Sequence, residues 1–212
     1  MAVRVASDIR VARVPLPLWG TNMASSKAQP RDAPRMTGKE MFTLGDIGRA
    51  ELVRGELVRM SPTGHLHGYV EFNFGRILGN FVHQRKLGRL LGGEVGIYTG
   101  RDPDTVRGAD VAFISYERLA QVQSSSYLDI APELVVEIMS PDDSWSNVMK
   151  KLAEYFAIGV QLVWVADPRQ QQILVYHSLT RVERLDADDT LLGGDVLPVF
   201  QAPVVELFDI SG

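Results

Sequence analysis

The sequence predicts an α/β or α+β domain with a mixed β-sheet flanked by helices. Two short apolar runs, 109–114 and 134–139, have the β-branched composition that is typical of central strands buried on both faces. Two other segments repeat apolar residues at helical spacing. The predicted order is a helix, several strands, a second helix and further strands, which indicates a sheet with helices packed against it.

The first predicted elements lead into a long helix. Residues 43–50 are expected to form a short helix, and residues 51–60 a strand or hairpin that turns at Gly55. A helix is predicted over 65–86, with Gly88 closing it, because its apolar residues form one stripe: Val70, Phe74, Ile77, Leu78 and Phe81.

Three strands are predicted next, over 90–98, 106–115 and 134–140. Pro141 ends the third strand, because proline cannot donate a hydrogen bond to a neighbouring strand. The apolar flanks on both sides of the second and third strands predict that these two lie at the centre of the sheet.

A second helix is predicted over 147–158, with Gly159 as its end. The residues before it offer several N-caps and negative charge for the helix dipole: Asp142, Asp143, Ser144 and Ser146. Strands are predicted over 162–166 and 173–177, and the rest of the chain, to about residue 208, as short strands and turns.

The first 36 residues differ in composition from the remainder, which sets the domain at 37–212. Four prolines punctuate this stretch among small and polar residues, a pattern that predicts a flexible N-terminal extension. The alternative is that residues 3–14, which alternate weakly, form a strand on a partner.

Composition excludes several kinds of protein. The 212 residues are 45% hydrophobic with a net charge of -4, so any surface that attracts nucleic acid must be local. The absence of cysteine excludes disulfides, thiolate zinc sites and cysteine nucleophiles. No apolar run approaches the roughly 20 residues of a membrane span. We expect a cytoplasmic protein that does not enter membranes.

Two acidic residues interrupt the apolar runs that predict central strands. Asp110 lies in the first run and Glu137 in the second. A buried carboxylate requires a cationic partner, a proton or a metal. We therefore predict a divalent-metal site with Asp110 and Glu137 as ligands, their carboxylates within about 6 Å of each other. The alternative is that either acid occupies an ordinary edge or surface position.

The helix after Glu137 supplies a third candidate. A step of about 100° per residue places Lys151 at the edge of the apolar stripe and Lys150 on the opposite face. The stripe consists of Val148, Leu152, Tyr155 and Gly159. Lys151 is therefore expected to lie along the sheet, with its amine within reach of the strand carboxylates. The alternative is a lysine whose stem lies on the apolar surface and whose amine reaches water.

Several spaced segments carry a family resemblance: PELVVEIMSP at 132–141, KLAEY at 151–155, WVADP at 164–168, ELVRGEL at 51–57, and His67. In this order they resemble the Uma2 family, restriction-type endonucleases of the PD-(D/E)XK nuclease superfamily. The resemblance spans roughly residues 37–208 and is most specific in the central segment. It implies a restriction-endonuclease-like mixed sheet, Mg²⁺-dependent cleavage of DNA with Mn²⁺ as a substitute, and a homodimer.

The resemblance implies that Asp110 and Glu137 are catalytic metal ligands and that Lys151 is the catalytic lysine. Met139 occupies the position of the lysine in the superfamily's motif, and members of this family take that lysine from the following helix. Asn147 stands where members often carry aspartate, and Ala109 replaces a proline before Asp110.

A different class of function fits the same residues: a catalytically inactive nuclease-fold protein that serves as a binding or assembly module. The acidic balance and the lack of an evident DNA-reading motif keep this alternative open. Metal binding distinguishes the two, since an inactive module needs no Mg²⁺. His67 is either a histidine supporting the metal site or a core histidine with satisfied hydrogen bonds.

Overall fold

The computed structural model describes residues 35–141 and 143–210. Apart from Arg35 and Met36, the predicted N-terminal extension lies outside these residues. The described chain contains a mixed eight-stranded sheet, a two-stranded sheet and helices packed on the large sheet. This confirms the predicted fold class.

The elements have the following bounds in chain order. The strands are β1 (Ala50–Val53), β2 (Glu56–Arg59), β3 (Gly88–Gly100), β4 (Thr105–Ser115), β5 (Leu134–Ile138), β6 (Leu162–Asp167), β7 (Gln172–Tyr176), β8 (Val182–Leu185), β9 (Thr190–Leu192) and β10 (Gln201–Pro203). The helices are α1 (Gly38–Thr43), α2 (His65–Arg85), α3 (Tyr116–Leu119), α4 (Trp145–Ile158) and α5 (Val204–Phe208).

The large sheet has the order β2-β1-β4-β5-β6-β7-β8, with β3 also paired to β4. Strands β5 and β6 run parallel, and the other neighbours in this sheet are antiparallel. Helix α4 connects β5 to β6, because parallel neighbours require a crossover connection. The carboxyl end of β5 therefore leads directly into the loop and helix that carry Lys151.

Strands β1 and β5 share one edge of β4, and β3 occupies the other edge. Strand β3 pairs with β4 along most of its length, from Gly88–Ser115 to Gly100–Thr105. The other edge of β4 pairs with β1 at Val106 and with β5 from Val111 to Phe113. The sheet therefore forks, and residues 107–110 of β4 face the gap between β1 and β5.

Two apolar cores cover the two faces of the central strands. Helix α2 packs Val70, Phe74 and Leu78 into one core, together with Trp164 of the sheet and residues of α5. Helix α4 packs into the other core, with Leu152 and Tyr155 fully buried. Strand β4 is buried along nearly its whole length, as expected of a strand covered on both faces.

Most predicted elements form close to their expected positions, but two boundaries are wrong. The first helix is Gly38–Thr43 and not 43–50, because Thr37 and Glu40 form a capping box that starts it earlier. Gly45 then has a φ of 72° and helps to end it. Gly88 does not close α2: Lys86 takes the left-handed conformation there, and Gly88 begins β3.

Two short helices, α3 and α5, arise where the sequence predicted only strands, turns or a connection. Ser115 caps α3, its side chain accepting a hydrogen bond from the Arg118 backbone N–H. Helix α5 buries Leu207 and Phe208 against the α2 side of the sheet. Helices this short are set by tertiary packing and not by periodicity, which explains why they escaped the sequence pattern.

Candidate active site

The gap between β1 and β5 is filled by side chains in place of strand hydrogen bonds. The pairing of β4 with β5 ends at Val111, opposite Val136. Beyond it, Asp110 Oδ2 accepts the Ile138 backbone N–H at 2.6 Å. The Gly108 backbone N–H donates to Glu51 Oε1 at 3.1 Å. At the fork, the carboxylates of Asp110 and Glu51 therefore accept hydrogen bonds from backbone N–H groups, which allows these acids to be buried inside the sheet.

Glu137 is bound by two side chains of helix α4. Lys151 Nζ lies 2.7 Å from Glu137 Oε2 and also donates to the Gly108 carbonyl at 2.9 Å. The Tyr155 hydroxyl donates to Glu137 Oε1 at 2.6 Å. Lys151 and Tyr155 are one helical turn apart, so both reach the same strand. Lys150, by contrast, is exposed.

An ionic network beneath Glu137 holds Lys151 in place. Glu51, which is buried, lies 3.4 Å from Lys151 Nζ and accepts from Arg107 Nη1 at 2.8 Å. Glu154 accepts from the same guanidinium at two atoms, each at 2.7 Å. Because Glu154 belongs to α4 and Arg107 to β4, this pair fixes the helix against the strand.

Burial and neighbouring charges set the ionisation of this site. Burial, reinforced by the nearby Asp110 carboxylate, raises the pKa of Glu137 to about 7, although Lys151 and Tyr155 oppose the shift. Burial alone would lower the pKa of Lys151, but Glu137, Glu51 and Asp110 outweigh it and raise that pKa. Lys151 is thus a cation at neutral pH.

His67 and Glu71 of α2 approach Asp110 from the other side. His67 Nε2 lies 3.4 Å from Asp110 Oδ1, and His67 Nδ1 lies 3.9 Å from Glu71 Oε2. The imidazole is buried, and among the described residues its Nδ1 has no hydrogen-bond partner, so only the Nε2 side of this histidine is matched by a polar group. Burial opposes protonation of His67, but the two carboxylates outweigh it and raise its pKa.

All three predicted site residues line one cleft of about 410 Å³, together with His67, Arg49 and Asn147. Arg49 is paired there with Glu94, which lies in a bulge of β3 beside Asp110. A larger cleft of about 670 Å³ lies elsewhere. Its Arg118 donates to the backbone carbonyls of Ala131 and Pro132, which is a structural role.

A family model described as "Uma2: Putative restriction endonuclease" matches residues 39–205. This chain belongs to the Uma2 family. Membership agrees with the resemblance found in the sequence and makes this a protein of a nuclease family.

The fold of this Uma2 member is also similar to that of a solved structure. The chain is similar to the crystal structure of "a putative nuclease belonging to DUF820" from Anabaena variabilis, with a TM-score of 0.69 and 21% identity over 82% of this chain and 97% of that one. No curated protein matches the chain. Within residues 35–141 and 143–210, no helix has both the length and the apolarity needed to cross a bilayer.

The oxygen-rich donor set of this Uma2 member fits a hard divalent cation. Asp110 and Glu137 each have both oxygens in hydrogen bonds or close polar contacts, yet a carboxylate oxygen has two lone pairs and retains one for a metal. Mg²⁺ needs only one or two carboxylates, since it keeps several waters. Asp110 and Glu137 are therefore the residues that would hold it.

Sequence reasoning missed three residues of the site: Glu51, Arg107 and Tyr155. The sequence singles out Glu51 only as part of the family-resembling segment 51–57, whereas the structure places it beneath Lys151. Tyr155 had an available signal, since it follows Lys151 by one turn on the same helical face. Glu51 and Arg107 had none, because their contacts depend on how β1 pairs with β4.

The network predicts that Glu51 positions Lys151. Glu51→Gln is expected to lower cleavage about tenfold, because the amide no longer attracts the ammonium and Lys151 is held less firmly. Metal-dependent nicking of plasmid DNA and the temperature of unfolding would both be measured. Glu56→Gln, at an exposed position of β2, is the matched control. Equal cleavage by the two variants would remove Glu51 from the mechanism.

Proposed function

We propose that the protein is a Mg²⁺-dependent endonuclease that hydrolyses DNA phosphodiester bonds, with Mn²⁺ as a substitute. The observation that carries the proposal is the convergence of Asp110, Glu137 and Lys151 in one cleft, each fixed by hydrogen bonds. Membership of the Uma2 family supports nuclease chemistry. In this proposal Asp110 and Glu137 are the metal ligands and catalytic acids, and Lys151 is the catalytic lysine.

The chemistry requires positive charge at the scissile phosphate. A divalent cation held by Asp110 and Glu137 would neutralise charge on the phosphate and lower the pKa of water. The two carboxylates fix the position of that charge, because each is anchored by a backbone or side-chain donor. Their burial at the fork keeps them from being fully hydrated, which strengthens their attraction for a cation.

Lys151 serves as a fixed cation and not as a general base. Although burial opposes it, the Glu137, Glu51 and Asp110 carboxylates raise the pKa of Lys151, which favours the protonated amine over a form able to accept a proton. Its contacts with Glu137 and the Gly108 carbonyl hold the ammonium beside the metal ligands. From there it stabilises charge that develops on phosphate oxygens in the transition state.

Purified protein is expected to nick or linearise supercoiled plasmid in Mg²⁺ or Mn²⁺ and to stop when chelator is added. Gel electrophoresis over a time course measures this directly. A Glu137→Gln preparation purified in the same way serves as the control for contaminating nuclease. If no DNA or RNA is cleaved and calorimetry detects no Mg²⁺ or Mn²⁺ binding, the protein is instead an inactive nuclease-fold module that binds or assembles.

We also propose a homodimer, since cutting two strands requires two active sites or two binding events. Family membership is the support for this proposal. Sedimentation equilibrium measures the mass in solution, and a mass of one chain at micromolar concentration would overturn the dimer.

A further inference from the structure

A cluster of three possible metal ligands lies on the side of Asp110 that faces α2. His67, Glu71 and Asp110 each offer one ligand atom, and these atoms all lie within 4.8 Å of one another. Ligands around one ion with bonds near 2.1 Å are separated by about 3.0 to 4.2 Å. Small side-chain rotations would therefore bring the three donors around a single cation.

Charge pairing around the cleft leaves Asp110 and Glu71 without a lysine or arginine in direct contact. Four other carboxylates have a lysine or arginine partner: Glu51 and Glu154 with Arg107, Glu137 with Lys151, and Glu94 with Arg49. In the part of the chain that the structure describes, the only ion-pair neighbour of Asp110 and of Glu71 is His67. Two carboxylates side by side thus have no lysine or arginine within ion-pair distance, and the cations that act on them, Arg49 on Glu71 and Lys151 on Asp110, lie farther away.

His67 provides the independent observation that points to a ligand. The residue is only 5% exposed, and its Nδ1 has no hydrogen-bond partner among the described atoms. A buried nitrogen without a hydrogen bond costs free energy unless a ligand binds it. Neutral imidazole is among the commonest metal ligands in proteins.

The fold supports these donors as it does at built metal sites. His67 and Glu71 are one turn apart on α2, so their side chains lie on the same helical face. Glu71 Oε1 accepts the backbone N–H of Gly93 at 3.0 Å, which orients its carboxylate from the bulge of β3. Asp110 is oriented by the Ile138 backbone N–H. Such supporting hydrogen bonds hold ligands in position.

We propose that His67, Glu71 and Asp110 form a second cation position, which shares Asp110 with the Asp110–Glu137 position and takes a divalent transition ion in preference to Mg²⁺. The preference follows from the imidazole, which suits transition ions, whereas Mg²⁺ takes oxygen ligands. The inference rests on the proposed function, since it extends the same metal centre. The second position adds a nitrogen ligand, and it involves helix α2, which carries none of Asp110, Glu137 and Lys151.

Mn²⁺ is the probe for this position, because pulsed electron paramagnetic resonance detects a directly coordinated imidazole nitrogen. Wild-type protein loaded with Mn²⁺ is expected to show this nitrogen coupling, and His67→Gln to lose it. Calorimetry on Glu71→Gln is expected to show Mn²⁺ affinity reduced about tenfold or more. His65→Gln, exposed and on the same helix, is the matched control. Circular dichroism establishes that each variant is folded.

Glu137→Gln separates this inference from the proposed nuclease function. The variant is expected to keep the nitrogen-coupled Mn²⁺ while losing cleavage. Absence of nitrogen coupling in the wild type, or its loss in Glu137→Gln as well, would overturn a separate His67 position. Conversely, nitrogen-coupled Mn²⁺ in a protein that cleaves no nucleic acid would support the cation position and reject the nuclease proposal.

Discussion

Lys151→Ala is expected to reduce metal-dependent DNA cleavage by about 100-fold or more, the usual cost of removing a group that stabilises transition-state charge. The Lys151 ammonium is held by Glu137 Oε2 and the Gly108 carbonyl and is charged at neutral pH. Alanine leaves no cation at that position, so the developing charge on the phosphate loses one of its stabilising partners.

The same substitution is expected to destabilise the fold. Helical phase alone predicts little loss of stability, but the contacts revise that expectation, because Glu137 and Glu51 both lie against the Lys151 amine. Removing the cationic partner from buried carboxylates costs about 3 kcal/mol. The cost should be smaller at pH 5 than at pH 8, since Glu137 then takes up a proton.

Lys150→Ala is the matched control for this prediction. Lys150 is adjacent in sequence and exposed, so its removal changes net charge equally without touching the site. Plasmid nicking would be measured at a temperature where circular dichroism shows all three proteins fully folded. If both alanine variants cleave at the wild-type rate, Lys151 has no part in the reaction.

Glu137→Gln is expected to abolish cleavage and weaken Mg²⁺ binding while the metal-free protein becomes as stable as wild type or more stable at pH 8. Glutamine keeps the volume and can still accept from Tyr155, but it lacks the charge that holds a cation. In this variant Lys151 retains Glu51 and the Gly108 carbonyl as partners, so the buried ammonium group remains paired.

The sign of the pH dependence follows from the raised pKa of Glu137. Its carboxyl has a pKa of about 7 in the fold against an ordinary value of 4.5, so the folded state binds more protons between these values. Its contribution to stability is therefore present below pH 4.5 and is lost as pH rises through 7. The loss is at most roughly 3 kcal/mol, and Glu137→Gln should not show it.

Chemical denaturation of wild type and variant in chelator at pH 5 and pH 8 measures this difference. Glu183→Gln, at an exposed position of β8, controls for loss of one carboxylate. A variant that cleaves normally would remove Glu137 from the catalytic set. A variant destabilised by several kcal/mol at pH 8 would show that Glu137 is a structural ion-pair partner of Lys151.

Local patterns in the sequence were sufficient for much of this architecture. Strand β5 was recognisable because a strand buried on both faces must be apolar throughout, which also made Glu137 conspicuous. The direction of Lys151 followed from helical phase, which depends only on neighbours along the chain. The helix end at Gly159 was equally local, since its φ of 102° suits glycine.

The fork in the sheet was decided by tertiary structure alone. Strands β1 and β5 are far apart in sequence, and nothing in either segment specifies that both pair with the same edge of β4. Glu51 reaches Lys151 only because of that pairing, and His67 reaches Asp110 only because α2 packs across the sheet. Periodicity reports which face of an element is buried, whereas strand order and helix packing determine which buried groups meet.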